Sequence, residues 1–338
     1  MSADHDFLPA ASLTRDLETK PVDQGVSQMK NDDGVRGLWC ATLTPLDDTG
    51  RIDAARMASH AKGLFERGVG GIAPFGTTGE GPSFSTTERR AGLEALLDAS
   101  IAADRLMAAT GCAAVTDTLE LTRHALDSGV ARCLVIPPFF FKDVPDDALF
   151  AFYAGLIDSV ADPRLRLYLY HIPQFSGVCV APSVVRRLAN AYPTIVAGVK
   201  DSAADWTNTA ALLECAPQLD ILIGHEPDLP RLMRAGGAGT ICGVANVYPD
   251  IVQRVLAPDV SAADEKRLKQ FLDVLLRFPF LPAFKAIKAA QSNDSGWRAL
   301  RTPWTKLPDA ACDELVSSLR SLGFDVGDRW RASDRRTQ

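Results

Sequence analysis

Positive charge is in short supply in this sequence. Lysine and arginine number 36 against 42 aspartates and glutamates, a net charge of −6 over 338 residues. A nucleic-acid binder normally shows a basic stripe, so no nucleic-acid partner is expected. Long apolar runs are also missing: none approaches the ~18 residues needed to span a bilayer, so no membrane partner is expected either. Histidine is rare, with five in the chain. The pair His225-Glu226 lacks the second His of a zinc helix, and no clustered His/Asp pattern marks a metal site. No Cys-x-x-Cys occurs. The seven cysteines, at positions 40, 112, 133, 179, 215, 242 and 312, are odd in number and mostly lie in apolar stretches. That is the pattern of reduced, buried thiols in a cytoplasmic protein. The N-terminal stretch carries Asp4, Asp6, Arg15 and Asp16 without an apolar core, so a secretory signal is not expected. The sequon Asn293-Asp294-Ser295 then has no glycosylation context.

What is present is an ordinary globular composition, 46% apolar and 23% charged, which excludes collagen-like, mucin-like and wholly disordered chains. A chain this long can bury a large core without disulfides or metal. At roughly 150 residues per domain it has room for about two domains, but an α/β barrel runs to about 250 residues as one.

Residues 1–34 have scattered charges and no sustained period, and read as a flexible extension. From Gly37 onward one pattern repeats. Short apolar runs rich in β-branched and aromatic residues fall at 38–43, 71–75, 106–110, 133–137, 165–170, 195–200, 221–224 and 239–244. They do not alternate with polar residues, as suits strands buried on both faces. The segments between them carry helix signals. Ser85-Thr-Thr-Glu88 reads as a capping box, Pro182 sits where a first-turn proline is tolerated, and Gly68 follows a helical pattern as a C-terminal cap. Eight strands alternating with helices predict a parallel sheet closed into a (β/α)8 TIM barrel over 35–248. The remainder, 249–325, reads as a C-terminal helical extension packed on the barrel. Its candidate helices at 262–276, 283–291 and 310–322 are broken by Pro279, Pro282, Pro303 and Pro308, and 326–338 reads as a frayed tail. Gly68-x-Gly70-x-x-Ala73 matches the dinucleotide fingerprint by letter but runs from helix into strand, the wrong order.

In such a barrel, polar side chains at strand C-termini point into the site. The sixth run ends Gly198-Val-Lys200-Asp-Ser202. A lysine at the end of an apolar strand, partly desolvated at the barrel mouth, is a candidate amine nucleophile for a ketone. The alternative is a lysine that reaches solvent or pairs with Asp201. The fifth run ends Tyr168-Leu-Tyr170-His171-Ile-Pro173, with both tyrosines on one face and Tyr170 nearer the C-terminal end. A phenol there can shuttle protons; otherwise it is a core tyrosine with a satisfied hydroxyl. The second run ends Gly76-Thr77-Thr78-Gly79-Glu80-Gly81, a glycine-rich turn flanked by hydroxyls that suits a carboxylate. No lysine follows, so it is not a nucleotide P-loop; the plainer reading is a simple strand-to-helix turn. His171 and His225 are further pocket candidates, or structural turn histidines.

These three elements, in this order and spacing, resemble the dihydrodipicolinate synthase / N-acetylneuraminate lyase family over about residues 36–323. The stretch Gly236-Gly-Ala-Gly-Thr-Ile-Cys-Gly-Val-Ala-Asn246 resembles the family's eighth strand. The resemblance implies Schiff-base chemistry on 2-oxo acids, as in class I pyruvate-dependent aldolases. Lys200 would condense with the keto group, while Gly76, Thr77, Thr78 and nearby amides would hold the carboxylate. Tyr170, bonded to Thr77, would act as acid and base. It implies no metal and no dissociable cofactor, a small 2-oxo acid as partner, and a homo-oligomer, dimer or tetramer. The departures bear on substrate. Phe175 stands where the synthases place a carboxylate-binding Arg, and Phe140 where they place a Tyr that extends the proton relay into the neighbouring subunit. Both argue against lysine-pathway synthase activity. Glu226 matches an acidic position with which sialic-acid lyases read substrate hydroxyls, but Pro227 replaces a second acid there and Gly243 an expected Ser. A 2-oxo-3-deoxy sugar acid or a 4-hydroxy-2-oxo acid fits best. A dehydratase can use the same lysine, because the enamine expels water as well as an aldehyde. From other classes, a metal-dependent barrel enzyme would be stopped by chelators, and a non-catalytic binding barrel would show no turnover.

Overall fold

The apolar runs have no polar face to offer water, so they are buried on both sides. In the computed structural model, which describes residues 34–327, all eight become strands: β1 (Gly37–Cys40), β2 (Gly71–Ile72), β3 (Met107–Ala109), β4 (Arg132–Val135), β5 (Arg166–His171), β6 (Val196–Asp201), β7 (Asp220–Ile223) and β8 (Gly239–Cys242). All neighbours pair in parallel, in the order β2-β1-β8-β7-β6-β5-β4-β3. A parallel bridge from Ile72 to Leu106 joins the two ends and closes the barrel.

The core has two parts. One lies inside the barrel and is built from Trp39, Met107, Leu134, Tyr168, Leu222, Ile241 and their neighbours. The larger part lies between the strands, the surrounding helices and the C-terminal helices. The barrel floor contains a polar feature. Tyr168 donates its hydroxyl to Asp220 at 3.0 Å, and the Val35 amide reaches the same carboxylate at 2.8 Å. Arg36 pairs with it at 3.3 Å. Burial raises the pKa of Asp220, and the donors around it act in the opposite sense. Gly198 sits beside Tyr168 in register. A Cβ there would lie 2.6 Å from the Tyr168 ring and 2.5 Å from the Asp220 carbonyl, so only glycine fits.

The capping box at Ser85 and Glu88 opens the helix Thr86–Asp98, Pro182 begins Pro182–Ala191, and Gly68 takes φ +79° beyond the helix Ala54–Glu66. The C-terminal helices are Pro249–Leu256, Ala262–Leu275, Phe280–Ser292 and Asp309–Ser321. Pro282 does not break its helix, contrary to the sequence expectation. It lies in the first turn, where no backbone N–H has an intrahelical acceptor to lose. Val326, at the expected start of the frayed tail, is buried. The expected extension, residues 1–33, and the rest of the tail, 328–338, lie outside the described residues. Of the cysteines, Cys40, Cys133, Cys242 and Cys312 are buried, Cys112 and Cys215 half-buried, and Cys179 exposed. Among the described residues no helix is long and apolar enough to cross a membrane.

Two buried polar ties hold the C-terminal end of the barrel in shape. Asn246 donates to the carbonyls of Ala41 at 2.8 Å and Gly243 at 2.9 Å, and accepts from the Leu43 amide at 2.9 Å. It thereby joins the end of β8 to the end of β1. Burial lowers the His60 pKa to about 3. The ring is therefore neutral, and its Nε2–H is donated to Asn246 Oδ1 at 3.0 Å. The second tie is a fully buried ion pair, Lys285 Nζ to Glu80 Oε1 at 2.5 Å. Lys285 also donates to the carbonyls of Thr44 at 2.8 Å and Ala299 at 2.6 Å, and Glu80 accepts from the Arg301 amide at 2.9 Å. The pair fastens the helix Phe280–Ser292 to the loop after β2.

Candidate active site

Tyr170 and Lys200 are register partners on β5 and β6, so their side chains leave the sheet on the same face. Both are buried, at 5% and 4% exposure. Lys200 Nζ lies 4.3 Å from the centroid of the Tyr170 ring. It makes no hydrogen bond or ion pair with the described residues. Asp201, the alternative partner raised by the sequence, points away. Its carboxylate is occupied by the Ala203 amide, Asn208 and Thr209 at 3.0, 2.9 and 2.8 Å. The Tyr170 hydroxyl lies 3.2 Å from Thr77 Oγ1.

Thr77 reaches Tyr170 because the loop after β2 folds back tightly. The amides of Gly79 and Gly81 both donate to the Gly76 carbonyl, at 3.1 and 3.0 Å. A Cβ on Gly81 would sit 1.7 Å from the Phe75 carbonyl oxygen, so no other residue fits. Phe75 and Glu80 flank the loop with φ of 60° and 58°, backbone that is rare outside glycine. Packing of Phe75 against Phe84 and the Glu80–Lys285 pair hold them there. The amides of Thr77 and Thr78 are left without an acceptor among the described residues, as a carboxylate cradle requires.

These groups face a cavity of about 680 Å³ at the C-terminal end of the barrel, within the usual range for small-molecule sites. Thr77, Thr78, Tyr170, Lys200, Phe175, Glu226, Gly243 and His225 all line it. Glu226 is buried, and burial raises its pKa against the opposing pull of nearby backbone amides, His225 and Lys200. His225 is bonded to Asp228 at 2.8 Å. A Cβ at Gly243 would come within 3.0 Å of the Phe284 ring and 3.4 Å of Thr78 Oγ1, so a serine there would press on the aromatic wall.

Three candidates from the sequence are placed elsewhere. Gly76 is a turn acceptor and does not line the cavity. His171 is buried on the opposite face of β5 from Tyr170 and does not line the cavity. Its Nδ1 accepts from the Val180 amide at 3.0 Å, and burial lowers its pKa, which makes it a structural histidine. Phe140 does not reach the cavity of its own chain. It stands 74% exposed beside an equally exposed Phe141. Sequence reasoning missed Ser202, Ile172, Phe280, Phe284 and the face of the helix Ala262–Leu275 that covers the mouth. Only Ser202 carried a local signal, as the last residue of the lysine motif.

The model of the dihydrodipicolinate synthetase family matches residues 34–321. The chain belongs to that family. An uncharacterized DapA-like lyase of Chloroflexus aurantiacus is 35% identical over 293 residues, covering 85% of this chain and 95% of that protein. A 4-hydroxy-tetrahydrodipicolinate synthase of Synechococcus is 30% identical over 294 residues, 83% of this chain and 93% of the relative. Among solved structures, dihydrodipicolinate synthase from Agrobacterium tumefaciens superposes with a TM-score of 0.80 at 34% identity, over 85% of this chain and 99% of that one. As a member of the dihydrodipicolinate synthetase family, this TIM-barrel protein is a carbon–carbon lyase of the Schiff-base, pyruvate-dependent kind.

Proposed function

We propose that Lys200 is the Schiff-base lysine and that the enzyme cleaves or forms the C3–C4 bond of a 4-hydroxy-2-oxo acid or 2-oxo-3-deoxy acid, with pyruvate as one partner. The observation that carries this is the buried, unpaired Lys200 amine against Tyr170, whose hydroxyl meets Thr77. The amine attacks the keto carbon, and loss of water gives the imine. The carboxylate of the substrate sits on the Thr77 and Thr78 amides and hydroxyls. In the cleavage direction Tyr170 takes the proton of the C4 hydroxyl, the C3–C4 bond breaks, and its electron pair moves into the protonated imine to give an enamine. Tyr170, backed by Thr77, returns the proton to C3, and water then releases pyruvate. The electron sink is the imine itself, so the scheme uses no metal or dissociable cofactor. Glu226 and His225 line the same cavity, which supports a role for them at the C4 hydroxyl.

Phe175 on the cavity wall offers no cation to a second carboxylate, which supports an aldolase over a synthase of the lysine pathway. The exposed Phe140–Phe141 pair supports burial against another copy of the chain, as a dimer or tetramer. The cysteine pattern supports a cytoplasmic setting.

The test is borohydride reduction with and without pyruvate, followed by intact mass and peptide mapping. A pyruvate adduct on Lys200 is expected. Mapping matters because burial also lowers the pKa of Lys288, to about 8, making that amine a competitor. Absence of an adduct on Lys200 at saturating pyruvate would sink the proposal. Released pyruvate distinguishes the aldolase from a dehydratase, which would give a 2,5-dioxo product.

A further inference from the structure

The cavity combines a compact polar cluster with a broad apolar wall. The groups that would handle the keto acid, Thr77, Thr78, Tyr170, Lys200, Ser202 and Glu226, cluster at the strand ends. The apolar lining is Ile172, Phe175, Leu272, Leu276, Phe280 and Phe284. Phe175 packs edge-on against Phe280 at 6.0 Å, and Phe280 against Trp304 at 6.0 Å, forming a continuous aromatic side. Four large apolar side chains stand exposed among the described residues, and two of them, Phe175 at 50% and Leu276 at 70%, are on this rim. Solvent-exposed apolar groups that converge on a cavity mark a surface that a ligand covers.

Beyond the keto-acid cluster the polar lining residues are Gln174, His225, Glu265, Lys266, Lys269 and Asp273, and four of them are already paired: His225 is bonded to Asp228 at 2.8 Å. Gln174 donates to the Ser202 carbonyl at 2.6 Å. Lys269 is paired with Asp273 at 2.6 Å. Glu265 and Lys266 line the cavity too, but both are exposed and remain hydrated there. A polyhydroxylated tail held against the apolar walls would leave the hydroxyls that face them without partners, which binding penalises. An apolar tail would remove both itself and the rim from water.

We infer that the acceptor half of the substrate is apolar: the enzyme acts on a 4-hydroxy-2-oxo acid whose C4 carries an aromatic or branched aliphatic group. This rests on the proposed lysine chemistry and narrows it. Cleavage breaks C3–C4 and leaves its electron pair in the enamine. The C4 hydroxyl loses its proton to become the aldehyde carbonyl, and C3 gains a proton to become the methyl of pyruvate. One water is lost on forming the imine and one is consumed on hydrolysing it, so no further reactant is needed.

The experiment pairs the borohydride trap with aldol addition of pyruvate to benzaldehyde, 3-methylbutanal and glyceraldehyde, followed as loss of pyruvate. The expected result is a Lys200 adduct together with kcat/KM for the two apolar aldehydes at least about tenfold above that for glyceraldehyde. In Leu276→Asp, a change on the exposed rim, that preference shrinks about tenfold. An intact adduct with equal rates, with a preference for glyceraldehyde, or with no turnover of any aldehyde overturns this inference and leaves the lysine chemistry standing. No adduct overturns both.

Discussion

Lys200 and Lys285 are both buried in the upper half of the molecule, and they are used in opposite ways. Lys285 gives its donors to Glu80 and to the carbonyls of Thr44 and Ala299. Burial lowers its pKa, and the Glu80 charge works against that shift. With its partners in place it serves as a cross-link between the last helices and the loop after β2. Lys200 has an aromatic face at 4.3 Å and open cavity before it. A buried amine without a carboxylate partner is held at a cost, and such a cost is expected where the group reacts. An ammonium enclosed by acceptors is structural; one left without them is available for chemistry.

The comparison breaks most sharply under the same substitution at each site. Lys200→Met is expected to abolish both the borohydride adduct and turnover while leaving the melting temperature unchanged or slightly raised, since no partner is orphaned. Lys285→Met leaves Glu80 charged and buried, and should cost about 3–5 kcal/mol of stability. Calorimetry would register this as a drop of roughly 10 °C. Adding Glu80→Leu should recover part of that loss. A comparable drop for Lys200→Met would mean that it too is structural.

Next in size is the proton relay. Tyr170→Phe is expected to lower kcat about 10²- to 10⁴-fold. Thr77→Val, which removes only the hydroxyl behind it, should cost about tenfold, or roughly 1.4 kcal/mol. Rates for the pair and the double variant test coupling, because members of one relay do not add.

At neutral pH the smallest effect is a pH dependence on the structural side, which grows only as the solution is acidified. His60, on the tie through Asn246, has a folded pKa of about 3 against an ordinary 6.5. Between those values the unfolded chain binds the extra proton. The contribution of His60 is therefore fully present above pH 6.5 and is lost as pH falls toward 3, by a few kcal/mol at most. His60→Gln should flatten stability against pH in that window, as read from urea midpoints. An unchanged slope would show that other groups control acid unfolding.

Much of the barrel was legible because burial on both faces leaves a local mark. Each of the eight apolar runs became a strand, displaced by a residue or a few at its ends, where strand pairing rather than composition sets the limit. Lys200, Tyr170 and Thr77 were legible because each ends or follows a strand, and a barrel gathers its strand ends at one face. His171 and Phe140 had the same kind of address, but strand alternation puts His171 on the face of β5 opposite Tyr170, and Phe140 stands exposed to solvent. Pro282 was misread because a proline's effect depends on which turn of a helix it occupies, and only the structure fixes where that helix begins.

The sequence by itself determined the strand count, the parallel order and the residues at the base of the site, since hydrophobic period and strand-end position are properties of short segments. The tertiary structure alone decided that Glu80 of a glycine-rich turn would meet Lys285, 205 residues later. It also decided that Leu272, Leu276, Phe280 and Phe284 would wall the cavity that Lys200 faces. Those side chains belong to helices whose own pattern says only that one face is apolar. What that face covers depends on how the helices pack across the barrel mouth, and no local spacing encodes such a long-range fit.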